Sequence, residues 1–416
     1  MIHNIQEHEM FKTVKDAKYD CLKLVKWDKS PNDSSDSPKW GYYAFFKIGA
    51  EWIDDHESLV VTTKSRMENI DFLGMFMTCF TSNLALDSFS EIYTIDLDKP
   101  AIEAPSLRNV MSLLMIVHFI GVVGRIKSLK RGYVHYSENL KKVKGRINVL
   151  KNERLNIAAK RYDRIYCDYD EYTADIPENR LIKKALLFSR QFVNLSSQSY
   201  SSQSRLKQMI NQAVAMFEQV SDDVEIREVR QIRANKLFKE YHEAIRLAKL
   251  ILRHFDYSIS KMSGKEATVT PFTIDMSLLY EHYVYGLLHA AYGNEIKYQA
   301  SSQTGKPDFL FVREGAQAIL DTKYKPKLEN STLDKNDIWQ LSGYSRDLEI
   351  MHRLGYHDLI EESPIPSVPC VIIYPSEGGK AENPFMGNSL QSLFSKVDGL
   401  LRFYKICVPL PTIGKT

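Results

Sequence analysis

The chain has 416 residues, 44% of them hydrophobic and 26% charged, with 55 Lys and Arg against 52 Asp and Glu. This is the composition of an ordered protein of about two or three domains, and it argues against disorder. Five scattered cysteines (Cys21, Cys79, Cys167, Cys370, Cys407) include no CxxC pair, which speaks against a zinc site or disulfide framework and for a cytoplasmic location.

Residues 1–105 read as β-rich. The opening "MIHNIQEHEMFKTVKD" lacks an apolar core behind a basic start, so no signal peptide is expected. The runs "WGYYAFFKIG" and "ESLVVTTK" have strand character, and the turn-rich "KSPNDSSDSPK" precedes them. Residues 106–265 read as mostly helical with a basic segment. "VMSLLMIVHFIGVVG" (Val110–Gly124) falls short of the roughly 20 residues of a membrane span and carries His118, so it reads as a buried helix. Between Arg125 and Arg164, thirteen Lys and Arg face three acids, either as a phosphate-binding surface or as a set of solvated faces. "KGRINVL" and "DRIYCDYDEYT" interrupt the helices as possible strands. In "DIPENRLIKKALLF", Asp175 suits a cap, Pro177 the first turn, and Glu178 the far side of a capping box. After a Ser/Gln-rich break, "SSQSYSSQS", Leu237, Tyr241, Ile245 and Ala248 fall on one helical face, as a packing stripe would.

Residues 266–416 alternate helix, two strands, helix and two further strands, an α/β core of ordinary domain size. The fold expected is therefore α+β multidomain: a β-rich N-terminal region, a mostly helical middle region and a C-terminal α/β core.

The chemistry concentrates in "KPDFLFVREGAQAILDTKYKPK" (Lys306–Lys327). If its two apolar runs pair, Asp308 comes close to Asp321. Strand alternation puts Asp321 and Lys323 on one face, with Thr322 pointing away. Two carboxylates there suit a hard divalent cation such as Mg²⁺, which would activate water and stabilise charge on a phosphodiester. Lys323 would neutralise the developing negative charge. Downstream, "DIWQLSGY" places Gln340 and Tyr344 at i and i+4 on a helix. Upstream, Glu281 supplies a further acid in the preceding helix. The terminal "PTIGKT" imitates a phosphate-binding loop, but Pro409 occupies the position of its first glycine. The histidines form no compact zinc set, and no G-x-S-x-G elbow is present.

Taken in order, "LKRGYVHYSENLKKVKGRINV", "YCDYDEYTADIPENRLIKKAL", "LYEHYVYGLL", "KPDFLF", "ILDTKYK" and "DIWQLSGY" resemble the McrC family, the nuclease subunits of McrBC-type modification-dependent restriction systems. The likeness covers roughly residues 106–345. "SLVVTTKSR" stands where the family tends to have an Ile-x-Pro-Lys element, and the proline is missing here. The resemblance implies a restriction-endonuclease-like C-terminal core of the PD-(D/E)xK type and a Mg²⁺-dependent DNA endonuclease, with Mn²⁺ able to substitute and no nucleotide bound by this chain. It implies Asp308, Asp321 and Lys323 as the catalytic trio, with Gln340, Tyr344 and Glu281 in support and Asp308, Asp321 and Glu281 toward the metal. Residues 1–105 would bind the partner, residues 106–265 would form the middle domain, and residues 266–416 would form the nuclease. Lys141, Lys142, Lys144 and Arg146 would face DNA or the motor. The implied partners are DNA and a McrB-like AAA+ GTPase ring whose hydrolysis the chain stimulates, with two complexes meeting for double-strand cleavage and no membrane. Two other readings stay open at this point: a nuclease-inactive adaptor of a ring NTPase, and a stand-alone RecB-like exonuclease or repair nuclease.

Overall fold

The computed structural model describes residues 1–12, 22–27, 39–64, 69–80, 91–195, 202–229, 239–259, 268–302, 305–325, 333–357, 366–379 and 382–413. Cys21, Leu237 and most of the turn-rich and Ser/Gln-rich stretches lie outside them, as do residues 414–416.

Among the described residues the chain order begins with β1 (Ile2–Gln6), β2 (Met10–Lys12), β3 (Leu22–Trp27), β4 (Lys39–Ala44), β5 (Lys47–Trp52) and β6 (Ser58–Thr62). Helix α1 (Phe72–Cys79), β7 (Tyr93–Ile95), β8 (Ile102–Glu103) and α2 (Arg108–Val123) follow. Then come β9 (Gly132–Leu140), β10 (Arg146–Ile147), α3 (Val149–Asn152), β11 (Ile165–Thr173), α4 (Pro177–Leu195), α5 (Gln203–Met216) and α6 (Lys239–Ile259). The last third holds β12 (Thr268–Val269), β13 (Phe272–Asp275), α7 (Met276–Tyr292), β14 (Ile296–Tyr298), β15 (Phe309–Phe311), β16 (Ala318–Thr322), α8 (Lys335–Tyr344), α9 (Leu348–Arg353), β17 (Cys370–Gly379), β18 (Ser395–Lys396) and β19 (Phe403–Pro411). The protein is thus a mixed α+β chain with several sheets.

It divides into two compact units. One comprises Met1–His118, Ser197–Gln203 and Ser258–Thr416, the other Phe119–Ser196 and Ser204–Tyr257. In the first unit a five-stranded sheet runs β1-β6-β5-β13-β7. Strand β13, from the last third of the sequence, pairs antiparallel with β5 on one side and β7 on the other. Asp275, at its end, accepts from the Ser277 and Leu278 amides and so caps α7. Helix α7 approaches α1 so closely that a Cβ at Gly286 would stand 2.2 Å from the Thr78 carbonyl oxygen.

A second sheet in this unit runs β14-β15-β16-β17-β19-β18. Its first two pairings are antiparallel, and those of β16 with β17 and β17 with β19 are parallel. On one face Tyr285 of α7 stacks on Tyr298 at 4.6 Å and on Phe309 at 6.0 Å. On the other, Tyr344 of α8 packs with Leu310 and Ile319, and Leu341 with Cys370 and Ile372. The continuous apolar runs of β16 and β17 follow from this covering on both faces.

In the second unit β9 and β11 form a nine-residue antiparallel ribbon, with Tyr136 stacked on Tyr169 at 5.4 Å. The expected capping box at the start of α4 does not form. The helix begins at Pro177, one residue later than Asp175 would need to cap it. Asp175 instead pairs with Arg180 at 2.7 Å and accepts from the Ser221 amide, while Glu178 meets Lys130 Nζ at 2.8 Å. Tyr241, Ile245 and Ala248 of the α6 stripe are buried. Pro105–Val123 is the one helical stretch among the described residues long and apolar enough to cross a membrane, and 88% of its most apolar window is buried within the protein. Cys79, Cys167 and Cys370 are buried free thiols and Cys407 is an exposed one.

Two consequences can be measured. Gly286→Ala forces α1 and α7 apart and is expected to cost about 1–3 kcal/mol in urea unfolding. The second concerns Glu7, buried beside Lys64, Tyr324 and Asp275, where burial lifts its carboxyl from 4.5 to about 7 against the pull of Lys64. The folded chain therefore holds this proton more tightly than the unfolded chain, and Glu7 subtracts stability as pH rises from about 4.5 to about 7. Glu7→Gln should raise the thermal midpoint at pH 8 and do so much less at pH 5.

Candidate active site

The site is built where three neighbouring segments of the second sheet end together. Strands β15 and β16 pair with Phe309 opposite Leu320 and Phe311 opposite Ala318. Continued by one residue, that register sets Asp308 across from Asp321. Ile319 and Asp321 share a strand face by alternation, and Ile319 packs against Tyr344 of α8. Asp321 therefore looks toward α8, as does Lys323 just beyond the strand, whose amide extends the parallel pairing by donating to the Ile373 carbonyl at 2.9 Å.

Asp321 is 2% exposed, and its Oδ2 lies 2.5 Å from Lys323 Nζ. The contact is a charge-assisted hydrogen bond, and it pulls the Asp321 carboxyl down against the effect of burial. Lys323 Nζ also donates to Gln340 Oε1 at 3.2 Å, Gln340 Nε2 donates to Tyr344 Oη at 2.9 Å, and Tyr344 Oη donates to the Lys306 carbonyl at 3.4 Å. This relay orients the Gln340 amide and ties α8 to the residues leading into Asp308. Tyr344 lies so close to Gly305 that a Cβ there would meet its ring at 2.6 Å.

Asp308 Oδ2 accepts from both the amide and the hydroxyl of Thr322, each at 2.6 Å. Thr322 was expected to point away from the site; its hydroxyl instead reaches the loop end at which Asp308 stands, and its amide reaches the same oxygen. Glu281, on α7, accepts from Gln299 Nε2 at 2.9 Å.

The electrostatics are those of crowded acids. Burial, then the charge of Asp308, pushes Asp321 up to about 7. Burial, then Glu281, raises Asp308, and burial raises Glu281 with Asp321 adding to it. Burial works to lower Lys323, but the charges of Asp321 and Asp308 outweigh it and hold the ammonium above its ordinary value. The acids gathered here exceed the positive charge that meets them. Hard oxygen ligands in that condition fit a divalent cation. The fit is that of Asp308 and Asp321: among the described residues no three acids, histidines or cysteines are placed to hold a metal together.

Gln340, Tyr344 and Glu281 thus gather with Asp308, Asp321 and Lys323. Lys141, Lys142, Lys144 and Arg146 lie in the other compact unit, exposed around the β9–β11 ribbon, with Lys144 over the Tyr169 ring at 4.1 Å. Sequence reasoning missed Asp337, which is buried and meets Lys325 at 2.9 Å and Lys323 at 3.9 Å. Its signal was present, since Asp337 precedes Gln340 by one helical turn. Gln299 carried no such signal.

The family described as McrBC 5-methylcytosine restriction system component matches residues 101–354, more than half of the chain. The chain belongs to that family. No curated protein matches it. Among solved structures, McrC bound to Thermococcus gammatolerans McrB AAA+ hexamers, in a half-complex from a tetradecameric assembly, is 16% identical with a TM-score of 0.40, over 99% of this chain and 95% of that one. The cryo-EM structure of the Thermococcus gammatolerans McrBC complex is 13% identical with a TM-score of 0.31, over 69% of this chain and 87% of that one. Both scores are below 0.5, so membership of the McrBC family rests on the family match alone. That match takes in α7, β15, β16 and α8, and with them every residue of the site.

The relay makes a prediction of its own. Tyr344→Phe deprives the Gln340 amide of its acceptor and the Lys306 carbonyl of its donor. It should cost about 0.5–1.5 kcal/mol in urea unfolding without loss of cooperativity.

Proposed function

We propose that this McrBC-family chain is the nuclease subunit of its restriction system, a Mg²⁺-dependent DNA endonuclease with a restriction-endonuclease-like core. The observation that carries the reading is the Lys323 ammonium, held between Asp321 and the Gln340–Tyr344 relay beside Asp308. An isolated hairpin ending in charges would not need a helix to aim its lysine.

Asp308 and Asp321 would hold the cation, which when bound supplies Lewis acidity and a nucleophilic water at neutral pH. An ammonium has three donors, and Gln340 takes one of those of Lys323. Another can meet a phosphate oxygen as negative charge builds in the transition state. The relay holds that ammonium in place before DNA arrives, so little reorganisation accompanies the reaction. Thr322 fixes the Asp308 carboxylate, and Gln299 fixes Glu281 at the rim.

The same reading gives the chain a GTP-hydrolysing AAA+ ring of the McrB kind as partner and the cytoplasm as its location. Membership of a multi-component system supports a partner, as does the absence of a phosphate-binding loop from this sequence. The exposed apolar side chains around the β9–β11 ribbon support one too, among them Leu150 at 82% and Val149 at 67% exposure. Lys141, Lys142, Lys144 and Arg146 belong to that surface and face either DNA or the motor.

The test uses the full tagged chain with the motor that copurifies with it. Nicking and linearisation of methylated plasmid are followed in Mg²⁺ with GTP, ATP or no nucleotide. Asp321→Ala is expected to lose cleavage by at least roughly a thousandfold while keeping assembly and fold. Equal cutting by variant and wild type would remove the nuclease reading and favour an adaptor that only activates the ring. Robust cutting without nucleotide would favour a stand-alone nuclease.

A further inference from the structure

Glu7 and Lys64 belong to the N-terminal region, yet both close on the residue that follows Lys323. Glu7 continues β1, its amide donating to the Thr62 carbonyl at 3.0 Å, and Lys64 stands just past the end of β6. Tyr324 is 3% exposed and donates to Glu7 Oε2 at 3.4 Å. Lys64 Nζ lies 4.2 Å from the centre of the Tyr324 ring, 3.5 Å from the Tyr324 carbonyl oxygen and 5.2 Å from the centre of the Phe46 ring. Phe46 and Tyr280 contact the same ring at 6.1 and 5.9 Å. These two polar contacts are long, and the Lys64 charge and the packing of the rings add to them.

We propose that Glu7, Lys64 and Tyr324 form a latch through which the N-terminal sheet positions Lys323 for catalysis. The inference rests on the nuclease reading above and adds a positioning device to it.

The argument is geometric. Lys323 and Lys325 both reach Asp337 of α8, at 3.9 and 2.9 Å, while Tyr324 between them lies against Glu7 and Lys64. With Tyr324 gripped against the N-terminal sheet, the Lys323 side chain is turned the other way, toward Asp321 and Gln340. On its other flank the Lys323 amide is fixed to the Ile373 carbonyl. The Lys323–Tyr324 pair is thus clamped from two sides, once by its own sheet and once by residues more than 250 positions earlier. Lys64 supplies the cation on Tyr324. Glu7, buried against Lys64, keeps that cation in place, and the backbone of Lys64 hydrogen-bonds the Glu7 carboxylate. Packing alone would be met by an apolar residue at position 7; a carboxylate with one buried oxygen lacking a donor is a costly choice for packing.

The latch is tested with the full chain and its copurifying motor. Lys64→Met alone would leave Glu7 buried without its cation, so the informative variant is Glu7→Gln with Lys64→Met, which removes both charges. Lys64→Arg, which keeps a cation, is the conservative control, and Asp321→Asn reports on the nuclease reading itself. The double variant should have a thermal midpoint no lower than that of the wild type and should keep its DNA affinity, measured by fluorescence anisotropy in Ca²⁺. Its kcat for plasmid nicking should fall roughly ten- to hundredfold with KM nearly unchanged, and Lys64→Arg should retain most of the wild-type kcat. A double variant with wild-type kcat, beside an inactive Asp321→Asn, would overturn the latch and leave the nuclease reading standing. Undiminished cutting by Asp321→Asn would overturn that reading and the latch with it.

Discussion

Strand β16 is bound on both edges, antiparallel to β15 and parallel to β17, and covered on both faces. Its backbone has no exposed edge and its side chains no route to bulk water until the strand ends. Polar groups at that end must therefore be met by other side chains, and the arrangement around them follows. Thr322 turns its amide and hydroxyl on Asp308, Lys323 meets Asp321, and α8 brings Gln340 and Asp337 to the same place. The acids still exceed the cations that meet them. A protein selected only for stability would not retain such a cluster, since buried like charges raise one another's proton affinity and weaken the fold. That imbalance is what the proposed metal-dependent function would call for.

The N-terminal region is bound into the same compact unit as this core. One link is covalent in origin: β13 leaves the five-stranded sheet and continues into α7 through the Asp275 cap, and α7 covers one face of the sheet that bears the site. The other is the polar contact of Glu7 and Lys64 with Tyr324. Both links meet the candidate site within a few residues of Glu281 and Lys323, so changes in the N-terminal sheet have a short path to it.

Much of the site was legible in the sequence because its elements are local. The hairpin from Asp308 to Lys323, the helical spacing of Gln340 and Tyr344, and the helix bearing Glu281 each follow from patterns of a few residues. What was not legible depended on distance or on a single residue of phase. Asp175 seemed placed to cap α4, but the helix begins one position later and the carboxylate is taken by Arg180. Alternation sent Thr322 away from the site, yet the loop end carrying Asp308 comes within reach of it. The insertion of β13 between β5 and β7 and the contact of Glu7 with Tyr324 join residues separated by hundreds of positions, and no local pattern announces them.

That insertion has a consequence during synthesis. Phe272 pairs with Ala50 and with Ile95, so β5 keeps one open edge and β7 lacks its partner in this sheet until the chain has grown past residue 275. At about 5–20 residues per second, the partner of β5 emerges roughly 10–45 s after β5 itself. For that interval the nascent chain carries an open strand edge, the kind of surface that pairs with other chains or recruits chaperones. The five-stranded sheet that β1 begins is therefore closed only by a strand from the last third of the chain.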